Sequence, residues 1–308
     1  MTLQSSSQGS RALLVVPSFN DVRCLERLLD SLPAEFPLFV IDSSSSDGTQ
    51  ELLAERQVDY EVIPQREFNH GGTRQKAVVD RPGYEFYVYL TQDAYLVEPS
   101  AISKLLAYFD DKEVGAVCGR QLPHLDANPL AKHARLFNYP VDSEIKSLED
   151  AAWLGLKVAF MSNSFAAYRV EALTEVGGFP GDVIVAEDMF VAARMLQSGW
   201  KVAYAGDACC RHSHNYRPIE EFRRYFDTGV FHICQPWIQR ELGGASGEGR
   251  RFVTSEWHYL LKKHLNWLPV SLFSTVMKFA GYCLGKKYNY LPVSVRKYCS
   301  MHKGFWKR

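Results

Sequence analysis

The strongest constraint on this chain is an alternation that runs from residue 12 to residue 118. Short apolar runs at 12–16, 38–41, 60–63, 86–90 and 115–118 are separated by segments whose apolar residues recur at helical spacing. Near-continuous apolar runs of this length are the pattern of strands buried on both faces. The intervening segments 21–32, 47–56, 72–80 and 99–109 read as helices; the second begins at Asp47, a good capping residue. Strands alternating with helices at this spacing require right-handed crossovers and a mainly parallel sheet.

Ligands on such sheets bind beyond the carboxyl ends of the strands. The segments after the first, second and fourth strands are Pro17-Ser18-Phe19-Asn20, the run from Asp42 to Thr49, and Thr91-Gln92-Asp93. All three are polar, and the topology brings them to one rim. Beyond Gln121 the regularity fades into a long connection to about residue 153. A strand is expected at 159–168, a helix at 187–198, a strand at 201–205 leading to Arg211-His212-Ser213-His214, and a helix at 220–231. Residues 243–249 read as a flexible glycine-rich loop.

With 308 residues, 46% of them hydrophobic, the chain can bury a sizeable core, which excludes a disordered protein. The formal charge of +0 carries no signature of a nucleic-acid partner, but it hides an asymmetry. From Trp257 to Arg308 there are ten cations and no acid, against 25 basic and 35 acidic groups in residues 1–256. Seven cysteines without a C-x-x-C pair suggest neither a disulfide framework nor a thiolate zinc site. Residues 1–10 are polar, lack the apolar core of a secretion signal and read as disordered. The apolar tract at 265–284 is interrupted by Asn266, Pro269 and Lys278, which makes it a poor spanning helix. Together these features predict a cytoplasmic protein with an α/β domain over 11–240 and a basic, aromatic-rich helical region over 250–308.

No G-x-G-x-x-G, Walker A loop or G-x-S-x-G elbow is present. Four constellations remain. Asp93, at the end of a strand, suits either a divalent cation that holds a diphosphate or a simple turn cap. Glu187-Asp188 opens a helix, where carboxylates complement the dipole or act as a general base. His212 and His214 at i, i+2 face one way in an extended segment, as metal or phosphate ligands or as a packed pair. Asn69-His70-Gly71-Gly72-Thr73-Arg74 offers glycines for close approach, helix-start N–H donors and a guanidinium that can fork onto phosphate; an ordinary glycine turn reads the same way.

As an ordered set, Val15–Asn20, Ile41-Asp42 through Asp47-Gly48-Thr49, Thr91-Gln92-Asp93 and Glu187-Asp188 with a downstream histidine resemble the family 2 inverting glycosyltransferases of the GT-A fold. The resemblance covers roughly residues 11–235. Phe68–Arg74, Leu90–Ala94, Ser162–Arg169 and His212–Tyr216 look most like the bacterial rhamnosyltransferases of that family. This resemblance implies a GT-A nucleotide-sugar-binding domain, dTDP-β-L-rhamnose as donor, and a cell-surface glycan or lipid-linked saccharide of lipopolysaccharide type as acceptor. Carried over position by position, Asp42 matches the pyrimidine-recognising aspartate beside the Pro17-Ser18-Phe19 wall. Asp93 matches the last aspartate of D-x-D, with Gln92 before it, and His212 or His214 matches the histidine that completes the metal and diphosphate site. Asp188 matches the general base, with Glu187 preceding it. Thr91 stands where the family has the first aspartate of D-x-D, which removes one negative charge beside the Mg²⁺ or Mn²⁺ the family implies.

In that mechanism the cation and Arg74 neutralise the departing diphosphate while Asp188 takes the acceptor's proton. A UDP-hexose donor, or a non-catalytic nucleotide-sugar-binding subunit, fits the same residues. Trp257, Trp267, Phe273, Phe279, Tyr282, Tyr288, Tyr290, Phe305 and Trp306, interleaved with the ten cations, suit the anionic inner face of the cytoplasmic membrane. The same composition also suits a helical subdomain packed on the acidic part.

Overall fold

The computed structural model describes residues 11–244 and 247–307. The expected disorder of residues 1–10 and part of the 243–249 loop fall outside them. The apolar runs become the central strands: β1 (Ala12–Ser18), β2 (Leu38–Asp42), β3 (Asp59–Val62) and β4 (Phe86–Leu90). Helices α1 (Val22–Ser31), α2 (Thr49–Glu55) and α3 (His70–Asp80) connect them. These four strands lie parallel in the order β3-β2-β1-β4, and residues 12–16 of β1 are almost fully buried.

The chain continues through β5 (Tyr95–Leu96), α4 (Ala101–Ala107), β6 (Val114–Leu122), α5 (Pro129–Asn138), β7 (Glu144–Lys146), α6 (Ala151–Leu154), β8 (Phe165–Arg169) and α7 (Val170–Glu175). Helix α8 (Glu187–Gln197) and strand β9 (Lys201–Arg211) follow. Among the described residues the sheet has 9 strands, ordered β3-β2-β1-β4-β8-β6-β9-β5, with β7 also paired to β9. Strands β1–β4, β6 and β9 share one direction, whereas β5, β7 and β8 oppose it. The sheet is therefore mixed, with a parallel majority.

The strand expected at 159–168 begins only at Phe165 and runs antiparallel between β4 and β6. This reversal matters for the site. Phe165 sits opposite Leu90, the last residue of β4, so β8 brings its amino-terminal flank, Ser162-Asn163-Ser164, to the rim where the other strands end. Strand β9 runs six residues beyond the expected 205, through a register shift, to deliver His212.

Helices α9 (Pro218–Cys234), α10 (Pro236–Leu242), α11 (Glu248–Lys263), α12 (Leu268–Gly285) and α13 (Val293–Cys299) complete the chain. Helices α9 and α12 pack backbone to backbone. A Cβ on Gly281 would lie 2.2 Å from the Phe222 carbonyl oxygen, and one on Gly285 2.1 Å from that of Phe226. The basic region is joined to the α/β core: Leu284, Tyr288, Leu291, Phe305 and Trp306 pack against the cluster that contains Val15, Tyr89 and Phe226.

Candidate active site

Gln92 fixes the first rim loop. Its Oε1 accepts from Ser18 Oγ and Phe19 N, both at 2.8 Å, and its Nε2 donates to the carbonyls of Phe19 (3.0 Å) and Asn20 (2.8 Å). With its amide fully engaged and Ser18 buried, Gln92 presents the half-exposed ring of Phe19 beside Pro17. Asp42 is wholly buried; it accepts from Ser45 N (2.9 Å), Gln50 Nε2 (3.0 Å) and the Ser45 hydroxyl. It therefore shapes the loop after β2 from inside. Asn20, Asp21 and Ser44 all adopt positive φ (51°, 64° and 61°), so backbone strain concentrates in these two loops.

Asp93, His212 and His214 converge next to Gln92, with one potential ligand atom from each lying within 4.8 Å of the others. His212 Nε2 is 3.5 Å and His214 Nδ1 3.7 Å from Asp93 Oδ2. Gln121 determines what His212 can do. Its Oε1 accepts from Arg135 Nη1 at 2.9 Å and lies 2.9 Å from His212 Nδ1, while its Nε2 donates to Ser162 Oγ at 2.8 Å. Arginine only donates, so the atom it meets is the amide oxygen and His212 carries its proton on Nδ1. In the neutral ring Nε2 then has its lone pair toward Asp93. Burial pushes the Asp93 carboxyl up, but the hydrogen bond and charge that His212 supplies when protonated, followed by the charge of protonated His214, outweigh it and hold the group well below its usual range. Burial, followed by the charge of His212, lowers His214 to about 4. A carboxylate and two imidazole nitrogens facing one point, one of them oriented from behind, fit a divalent cation.

Glu187 and Asp188 open α8 directly after Ala186, whose φ is 60°. Glu187 is buried; its Oε1 lies 3.0 Å from Arg74 Nη1 and accepts from Asn163 Nδ2 at 2.9 Å. Burial raises its pKa, but Arg74, His70 and Asn163 outweigh that and hold it ionised. Asp188 accepts from Asn163 N (3.1 Å) and Met189 N (2.8 Å). Burial and then the Glu187 charge push its pKa up to about 7. Asn163, itself held by Tyr168 Oη at 2.7 Å, thus positions both carboxylates.

Two expectations change. Arg74 does not reach out to phosphate: it is 3% exposed and spends Nη1 on Glu187 and on the His70 carbonyl at 2.8 Å. Glu187, expected in the catalytic pair, is the fixed partner of that guanidinium. The close approach that Gly71 permits is to the Pro180 main chain, where a Cβ would meet the carbonyl oxygen at 1.9 Å. Sequence reasoning assigned no role to Asn163, Gln121 or Arg135. Asn163 lies in a phrase tied to the family resemblance; Gln121 and Arg135 lie where the pattern had faded.

Residues 10–227 match the model described as "Glycosyltransferase like family 2". The chain belongs to the family 2 glycosyltransferases. It is 55% identical over 269 residues to the O-antigen chain rhamnosyltransferase WbaN of Salmonella anatum, covering 87% of this chain and 85% of that protein. It is 51% identical over 298 residues to the O-antigen chain rhamnosyltransferase RfbN of Salmonella typhimurium, covering 95% of each. Among solved structures, the mannosyltransferase PcManGT of Pyrobaculum calidifontis, in complex with GDP-Man and Mn²⁺, aligns with a TM-score of 0.57 at 20% identity, over 94% of this chain and 84% of that one. TarS 1–349 of S. aureus aligns at 0.52 and 13%, over 91% of each. The fold is GT-A-like, and this glycosyltransferase acts between a nucleotide-sugar donor and a glycan acceptor; enzymes of this fold commonly use a divalent cation.

The Arg74–Glu187 pair makes a sharp stability prediction. Arg74→Met leaves a buried carboxylate unpaired and should destabilise the protein by about 3–5 kcal/mol at neutral pH, read from urea midpoints. Pairing lowers the Glu187 pKa, so its contribution is present above the ordinary carboxylate range and lost on acidification. The deficit of the variant should therefore shrink toward pH 4. A deficit that is absent, or constant with pH, would contradict the pairing.

Proposed function

We propose that this enzyme transfers L-rhamnose from dTDP-β-L-rhamnose to a hydroxyl of an O-antigen-type, lipid-linked saccharide, with inversion at the anomeric carbon. The observation that carries the reading is the 51% identity to an O-antigen rhamnosyltransferase over 95% of both chains, joined to a rim that holds an Asp188 poised to take a proton. Pro17, Phe19 and the loop shaped by Asp42 form the wall for the base. Asp93, His212 and His214 would hold Mg²⁺ or Mn²⁺, which supplies positive charge to the departing diphosphate. Asp188 takes the proton of the acceptor hydroxyl as that oxygen attacks, while Arg74 keeps Glu187 ionised and Asn163 keeps Asp188 aimed.

Helix α12 supports a place on the inner face of the cytoplasmic membrane. Its buried face is Ser271, Ser274, Gly281 and Gly285, whereas Leu272, Phe273, Val276 and Phe279 are exposed, the last at 71%. This inverts the pattern of a helix that seeks a water-excluding core. By length and composition the 265–285 segment could span a bilayer, but its inner face packs on the charged helix α9, which favours an in-plane position. Exposed Lys262, Lys263, Lys286 and Lys287 flank it and would each add roughly 1 kcal/mol toward anionic lipid. Phe273→Ser with Phe279→Ser should abolish co-sedimentation with anionic vesicles without loss of fold; unchanged sedimentation would rule the surface out.

Catalysis is tested at Asp188. Asp188→Asn should lower turnover with dTDP-rhamnose by about 10²–10⁴-fold with thermal stability kept. A base must be unprotonated, so wild-type kcat/KM should fall about tenfold per pH unit below about 7. Near-normal turnover in the variant would remove Asp188 from the role.

A further inference from the structure

The cleft lined by Phe19, Ser43 and the segment before α3 has a further wall, made by residues 301–305 near the end of the chain. Three anchors hold that wall in place. Asp227 of α9, fully buried, accepts from the main-chain N–H groups of Met301 (2.9 Å) and His302 (3.3 Å). The His302 ring meets His70 at the start of α3, with Nδ1 3.2 Å from its Nε2 and the rings edge to face. Phe305 and Trp306 pack against the core, Trp306 beside Phe226 and Tyr288. Burial pushes both imidazoles down, His302 to about 3.

Between these anchors Lys303 and Gly304 stand exposed in the cleft. Among the described residues no carboxylate pairs with Lys303, nor with Arg66, which lines the same cleft; of the lining residues Glu67 alone is acidic. A fixed backbone thus carries an unpaired ammonium to the edge of a concave site, where local field raises the concentration of anions. A lysine, as a point charge on a flexible stem with three rotatable donors, suits phosphate oxygens.

We propose that residues 301–305 form part of the donor site and that Lys303 supplies a cationic contact to the diphosphate of the nucleotide-sugar. The inference rests on the nucleotide-sugar reading of this cleft and adds a positive contact that Arg74, buried on Glu187, does not make. The anchors also connect the wall to the catalytic pair, since the carbonyl of His70 accepts from Arg74.

The test is calorimetric titration of dTDP into the full-length protein, with Mn²⁺, at low and at moderate salt. Lys303→Gln should weaken dTDP by about tenfold, the loss expected for one charge-assisted hydrogen bond. It should also flatten the salt dependence, because the screened charge is gone. Lys112→Gln, exposed just before β6 at the end of the sheet opposite the rim, serves as the control and should bind like wild type. Equal affinity and equal salt dependence in Lys303→Gln would overturn the role of Lys303 and leave the donor reading standing. Failure of folded wild type to bind dTDP, UDP or GDP would overturn both.

Discussion

Two carboxylates adjacent in sequence cannot both be buried as free anions, and the rest of this site follows from how Glu187 and Asp188 escape that conflict. Arg74 neutralises the first at 3.0 Å. The second is left with main-chain donors and no cation of its own, so desolvation and its neighbour raise its proton affinity. Paired groups whose environments push their pKa values apart divide the labour between a structural anion and a titrating base.

From that pair a continuous set of hydrogen bonds runs along the rim. Asn163 joins both carboxylates, and its neighbour Ser162 accepts from Gln121, which orients His212 toward Asp93. Gln92, next to Asp93, ties in the loop after β1. The reversed strand β8 makes this possible: a parallel strand at that place would have brought residues near Arg169 to the rim in place of Asn163. The site thus depends on one antiparallel strand within a sheet that is otherwise largely parallel.

Much of this was legible in the sequence, and the rest was hidden for physical reasons. The apolar runs at 12–16 and 86–90 could only be buried strands, and they carried the rim loops with them. The residue types of Asp93, Asp188, His212 and His214 each left more than one reading open, and only their resemblance to the family as an ordered set pointed to a metal site and a base. The direction of β8 was not readable, since a buried strand has the same composition either way up. The fate of Arg74 was not readable either, because a guanidinium beside glycines looks the same whether it meets a phosphate or a carboxylate more than a hundred residues away. The basic tail divided similarly: its charge and aromatic content were plain, but the Gly281 and Gly285 contacts that turn α12 inside out depend on α9, and the return of residues 301–305 to the cleft beside Phe19 depends on a buried aspartate in the same helix.

In the proposed reaction Asp188 is the one base at this rim and no covalent intermediate forms, so a single displacement converts a β-linked donor into an α-linked product. The most direct test is the anomeric configuration of the first product formed from dTDP-β-L-rhamnose, read from the one-bond C1–H1 coupling by NMR before any equilibration. An α-L-rhamnoside is the predicted result. A β-L-rhamnoside would require retention and would contradict the proposed single displacement.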